Sequence, residues 1–298
     1  MTELRILSDG GHFFEGPRWH DGTWWVSDFY AHEVQRVAPD GTRTTELEVP
    51  GRPSGLGWMP DGSLLVVSMT DATLLRRAPD GTVGVHADFS AHVGGKANDM
   101  VVDAHGRAFI GNFGFDLMAG ARPATANLVR VDPDGTVAVA ASDLYFPNGA
   151  VILPDETTLV VGETLGSRYS AFTIAPDGTL TDRRVWAEFG PLPRLGSFDE
   201  TLPQITIAPD GCALDADGCI WMADALGNRV LRVAEGGEIR REIVMPDGLG
   251  AFACALGGTS GSELLVCAAP DFLEHERMAQ TEAVLFTVDV GVAGAGRP

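Results

Sequence analysis

The feature that most limits what this chain can fold into is a pair of turns that returns six times. One series follows a short apolar run and leads into a strand: "PRWHDGTWWVSD", "GLGWMPDGSLLVVSM", "DMVVDAHGRAFIGN", "GAVILPDETTLVVGE", "CALDADGCIWMAD" and "CALGGTSGSELLVCA". The second closes a later strand: "EVQRVAPDG", "TLLRRAPDG", "NLVRVDPDG", "AFTIAPDG" and "RVLRVAEGG", with "VLFTVDVG" as a degenerate sixth. The two series interleave along the chain. Asp-Gly between alternating apolar runs is a strong hairpin signal, because Gly takes the positive φ of a tight turn and Asp folds its side chain back onto the backbone. Each unit therefore predicts four short strands, and four-strand units repeating every 40 to 60 residues or so are the mark of a β-propeller blade.

Six such units fill the 298 residues, so the expected fold class is all-β, a six-bladed β-propeller forming a single domain over 1–298. A β-sandwich also spaces its strands regularly, but it does not account for a paired six-fold register. No amphipathic helix of globular length is visible. The best helical candidate, "DFLEHERMAQTEAV" (271–284), reads equally as a loop.

The formal net charge of -20 argues against nucleic acid and against an anionic membrane surface, both of which call for clustered Lys and Arg; it suits a cation. The start, "MTELRILSDGGHFF", has no basic segment followed by a long apolar one, and no apolar run reaches membrane length, so the expected location is cytoplasmic. Cys212, Cys219, Cys254 and Cys267 include no CxxC pair, which points to packed, reduced thiols rather than a zinc site or a disulfide framework.

In a propeller the first strand of each blade lines the central channel, so residues at the starts of those strands converge from distant parts of the sequence. The segments are "FFEGPRW" with Glu15, "RPSGLGW" with Ser54, "KANDMVV" with Asn98 and Asp99, "FPNGAVI" with Asn148, "APDGCALDADG" with Asp210, and "MPDGLGAFACAL" with Asp247. Carboxylates and carboxamides are hard oxygen donors that match Ca²⁺ and its six to eight ligands better than zinc, and no HxH or HExxH pair is present. Asn or Asp beside Gly also makes Asx-turns, so Asn98, Asn148 and Asp210 each keep that second reading. Glu15 escapes it, because Glu is a poor turn former.

The chain resembles the SMP-30/gluconolactonase family, which includes regucalcin and bacterial gluconolactonases. The likeness rests on "EGPRWHDGTWWVSD", "KANDMVVDAHGRAFIGNFG", "FPNGAVILPDETTLVVGET" and "PDGCALDADGCIWMAD", in the family's order. The resemblance implies a six-bladed propeller with a divalent metal in its tunnel, Ca²⁺ first, with Zn²⁺, Mn²⁺ or Mg²⁺ as alternatives. The family's metal-binding Glu, Asn and Asp fall on Glu15, Asn148 and Asp210. Its substrate-contacting Asn-Asp pair falls on Asn98 and Asp99, and in more distant propeller hydrolases the equivalent of Asn98 also ligates the metal. Where sugar-lactone members carry an Arg two residues before that Asn, this chain has Lys96, a point charge without the planar fork, which puts sugar acid lactones in doubt as substrates.

Such a site suits metal-dependent hydrolysis of a lactone: the ion polarises the carbonyl, and a carboxylate, Asp210 first and Asp99 as competitor, deprotonates water. An arylesterase or phosphotriesterase on the same metal site, and a calcium-binding propeller without turnover, are the rival readings. A strictosidine-synthase-like propeller fits the ligand set poorly, and a serine hydrolase lacks a G-x-S-x-G elbow. Two long connections, 116–127 and 190–204, are expected to overhang the metal and favour a small-molecule lactone or ester with apolar bulk. With their flanks they bring Phe113, Phe115, Leu117, Met118, Leu192, Leu195 and Phe198, and Phe113 and Phe115 are the expected substrate contacts beside Lys96, Asn98 and Asp99.

Overall fold

The computed structural model describes residues 3–295. Its strands form six four-stranded antiparallel sheets. The inner strands, one per blade, are Phe14–His20, Pro53–Trp58, Ala97–Val102, Pro147–Ile152, Pro209–Leu214 and Gly250–Gly257. Each touches its neighbours, and the last touches the first, so they close a ring around a central axis.

Burial falls from axis to rim. Inner strands such as Ala97–Val102 and Pro147–Ile152 are buried throughout, whereas the outermost strands Arg43–Glu48 and Ile239–Val244 are largely exposed. The sequence follows this gradient: an inner strand enclosed on both faces reads as an unbroken run of small and apolar residues, while a rim strand carries charge. Neighbouring blades share apolar layers. Leu65, Val67 and Leu74 of the second blade pack with Met100, Ile110 and Val129 of the third, and Val160 and Tyr169 of the fourth with Met222 and Leu231 of the fifth.

The turn Asp residues act as their sequence context implies. Asp40, Asp80, Asp134 and Asp177 each accept the backbone N–H of the Thr two residues on, at 2.9 Å. The four cysteines are buried free thiols.

Three elements depart from the sequence reading. The outer strand of the sixth blade comes from the other end of the chain: Arg5–Gly11 pairs with Ala283–Asp289, so first and last segments lock one blade together. Within 271–284 the helical part is α2, Glu274–Ala279, and the strand begins at Ala283. The connection 190–204 holds a short helix, α1 (Phe198–Thr201), begun by a capping box in which Ser197 Oγ accepts from Glu200 N–H and the Glu200 carboxylate accepts from Ser197 N–H.

Candidate functional site

The inner strands share a bulge near their starts. Register slips between Glu15 and Arg18, Pro53 and Leu56, Ala97 and Met100, Pro147 and Ala150, Pro209 and Cys212, and Ala251 and Ala253. An inserted residue re-aims the side chain it carries. Glu15, Ser54, Asn98, Asn148, Asp210 and Phe252 occupy this place in the six blades, the first five just after a residue paired with the end of the second strand and Phe252 one residue further in. Asp247 does not: it sits exposed in the preceding turn, and the sixth blade presents Phe252 instead.

A repeated device fixes these starts. Asp28, Glu163 and Asp224 end second strands and are buried, and their carboxylates accept the N–H of Phe13, Tyr145 and Ala208 at 2.8 to 3.2 Å. Each hydrogen bond ties the incoming loop one or two residues ahead of the inner strand. The signal was present in "WVSD", "VVGE" and "WMAD", each ending its strand on a carboxylate.

Five of the six residues form a polar ring, all 7% exposed or less. Ser54 Oγ donates to Asn98 Oδ1 at 3.2 Å, and Asn98 Nδ2 to Asn148 Oδ1 at 2.9 Å. Asn148 Nδ2 donates to Asp210 Oδ1 and, at 3.1 Å, to Thr164 Oγ1, whose hydroxyl donates to Pro209 O at 2.7 Å. Thr164 is a supporting residue that sequence reasoning did not single out. Glu15 accepts the N–H of Gly16 at 3.0 Å.

Neither Glu15 nor Asp210 is ion-paired among the described residues. Burial, followed by the Asp210 and Asp99 charges, pushes the Glu15 carboxyl well above the ordinary carboxylate range. Burial and then Asp99 push Asp210 up in the same way. Two buried carboxylates and two carboxamides facing one space are a donor set that a divalent cation satisfies, and their hardness suits Ca²⁺ or Mg²⁺ more than a thiophilic metal. Among the described residues no three of His, Cys, Asp and Glu come together as a metal cluster. The set depends on its amides.

Asp99 takes a different position from Asn98. Its equivalents in the second, fourth and fifth blades are Gly55, Gly149 and Gly211, where inner strands pass so closely that a Cβ on Gly55 would lie 2.5 Å from Met100 N, and one on Gly211 2.5 Å from the Ala253 Cβ. The carboxylate at this position accepts from Arg18 Nη2 at 2.8 Å and from Met100 N–H at 2.8 Å, and it does not reach the cavity wall. Arg18, which the sequence reading passed over, also donates to Met100 O at 2.6 Å.

Glu15, Asn98, Asn148 and Asp210 of the ring form the floor of a cavity of about 830 Å³, open mouth included. Its walls are mostly aromatic and aliphatic. Phe113, Leu117, Met118 and Phe198 line it as the long connections predict, joined by Phe13, Phe29, Phe146 and Phe252. Phe115 instead packs in the core behind the wall, Leu192 is exposed, and neither Leu192 nor Leu195 lines the cavity. Lys96 does line the mouth, but its Nζ is 2.5 Å from Glu274 of α2, whose other oxygen pairs with Arg52 at 2.9 Å. Burial raises the Glu274 pKa, but its bonds to Lys96 and Arg52 outweigh that and hold it below the usual range. Tyr30, under the Arg52 guanidinium at 5.0 Å, is pushed to about 12, chiefly by burial and then by Glu274, and stays a neutral phenol.

A six-bladed propeller with a buried oxygen-donor ring flooring an apolar cavity defines the class. Residues 13–270 match the model of the SMP-30/gluconolactonase/LRE-like region, and the chain belongs to that family. It is 26% identical over 285 residues to 6-deoxy-6-sulfogluconolactonase of Pseudomonas putida, covering 91% of this chain and 88% of that protein. It is 28% identical over 309 residues to pentonolactonase XacC of Haloferax volcanii, covering 100% and 97%. Among solved structures it is similar to regucalcin of Agrobacterium tumefaciens, described as a calcium-binding protein, with TM-score 0.78, 24% identity and coverage of 99% and 96%, a likeness that speaks to the fold alone. Among the described residues no helix is long and apolar enough to cross a membrane.

Proposed function

We propose that this protein is a metal-dependent hydrolase that opens a lactone ring. One observation carries the reading: Glu15, Asn98, Asn148 and Asp210, from four blades, meet at a cavity floor where neither carboxylate is ion-paired among the described residues. Two relatives that match most of the chain are lactonases by name, and the similar solved structure is described as calcium-binding.

These four residues are the proposed ligands of one divalent ion, Ca²⁺ first. When bound, the ion supplies Lewis-acid polarisation of the ester carbonyl and lowers the pKa of water. The chain supplies the rest. Asp210 borders the cavity and takes the proton from water as it adds to the carbonyl carbon. The ring C–O bond then breaks, the proton held by Asp210 passes to the departing alkoxide oxygen, and a single hydroxy acid leaves with Asp210 again a carboxylate. Asn148, bonded to Asp210 and Thr164, holds the carboxylate in place, and the apolar wall excludes bulk water. Asp99, paired with Arg18 and set off the wall, acts on the ring through its charge.

A pH-indicator assay on a panel of lactones, after chelation and re-addition of Ca²⁺, Mg²⁺, Mn²⁺ or Zn²⁺, tests the reading. Turnover lost on chelation and restored by a metal is expected. Metal binding without turnover of any lactone would overturn it in favour of a calcium-binding propeller.

A further inference from the structure

The cavity wall is poorly suited to a substrate covered in hydroxyls. Above the floor its polar side chains are Thr164, Tyr30, Arg52 and Lys96. Thr164 is bonded to Asn148 and Pro209, and Arg52 and Lys96 both hold Glu274, so the donors left to a substrate are the Tyr30 hydroxyl and the further N–H groups of Arg52 and Lys96. A sugar lactone would bring several hydroxyls against aromatic and aliphatic surface, and each one stripped of water without a partner costs roughly tenfold or more in affinity.

The same wall continues outward. Leu117, Met118, Phe198 and Phe272 border both the cavity and a groove on the outer face, and that groove runs on past Leu273 and Met278, which are 45% and 51% exposed. Apolar side chains therefore continue from the cavity, between the connection after Phe113 and the segment leading into α2, to the protein surface, with Ser197, Asp199, Glu274 and His275 also lining the groove. Exposed large apolar side chains joined to a buried apolar cavity form a track for a ligand too long to be enclosed.

We infer that the substrate is a lactone carrying an extended apolar chain, with its ring on the polar floor and its chain along this track. The inference rests on the lactone-opening reading and adds the substrate's substituent to it. Lys96 and Arg52 frame the mouth beside the track, with the single carboxylate of Glu274 between them.

The test is kcat/KM across γ-alkyl-γ-butyrolactones from methyl to octyl, with glucono-δ-lactone in parallel and metal present. Each added methylene is expected to raise kcat/KM by roughly 2- to 4-fold until the chain clears the groove, with the octyl lactone well above gluconolactone. Phe272→Asp, with Met118→Asp as a second variant in case the first fails to fold, is expected to flatten that dependence. A flat series with gluconolactone preferred would overturn the inference and leave lactone opening intact. If no lactone opens, the underlying reading fails, and calorimetric titration with the matching γ-alkyl lactams decides the track separately. Affinity rising with chain length supports it, and affinity independent of chain length rejects it.

Discussion

Asn148 donates its amide Nδ2 to the carboxylate of Asp210, a residue 62 positions further along the chain, and both side chains stand at bulges of adjacent inner strands. The bond joins two blades at the point where chemistry is proposed. An Asn at 210 keeps an oxygen to accept that bond but cannot take a proton. Asp210→Asn is therefore expected to leave the melting temperature close to wild type while lowering lactone turnover by roughly 10²- to 10⁴-fold. Thermal unfolding and the indicator assay on one preparation check it. Full turnover would exclude Asp210 as the base and leave Glu15 as the carboxylate bordering the cavity.

Glu15 shares the floor with Asp210, and in the metal-free protein both carboxylates are buried in mutual repulsion. A divalent ion removes that repulsion, so binding shows as stability. At a hundredfold excess over Kd the expected gain is about 2.7 kcal/mol, lost on adding chelator. Glu15→Gln removes one of two anionic ligands and is expected to shrink the gain and weaken affinity in a calcium titration. An unchanged titration would show that Glu15 is not a ligand.

Much of this was legible in the sequence, for identifiable reasons. Turns are local, so "APDGT" disclosed the blade count, and an Asx-turn needs only the Asp and the N–H two residues on. Glu15, Asn98, Asn148 and Asp210 could be picked out because a polar residue at the start of an otherwise apolar strand is conspicuous. The sixth position was misread as Asp247: polarity pointed to the turn, whereas the bulge, which depends on pairing, selects Phe252. Asp99 looked like Asn98's partner, but neighbours on a strand face opposite ways, and the glycine-lined gap between blades appears only once the ring has closed. The pairing of Arg5–Gly11 with the last strand is likewise non-local, and nothing within "RILSDGG" announces it. By contrast, the capping box of α1 is a four-residue pattern, "SFDE", open to reading from the start.

The Arg18–Asp99 pair lies near the axis with side chains 11% and 4% exposed. Removing one partner strands the other charge where water is scarce. Arg18→Met and Asp99→Asn are each expected to destabilise by about 3 kcal/mol or more, and the double variant by clearly less than the sum. Denaturant midpoints across the four proteins measure the coupling. Additive losses would place the pair in contact with solvent and remove its influence on the ring.

Asp40, Asp80, Asp134 and Asp177 are fully exposed, yet each is held below the ordinary carboxylate range, first by the backbone N–H of the Thr two residues on. A depressed folded-state pKa gives stability that is present above the unfolded value near 4 and is lost as pH falls through the folded value. Replacing all four with Ala is therefore expected to lower the melting temperature near neutral pH, with the gap to wild type closing as pH falls through the depressed folded-state values, where the wild-type carboxyls become protonated as well. Melting curves of both proteins across that range, with chelator present so that the metal site does not contribute, decide it. A gap that stays constant into acid would mean that the turns rely on backbone geometry alone and that the Asp charge adds nothing to the N–H bond.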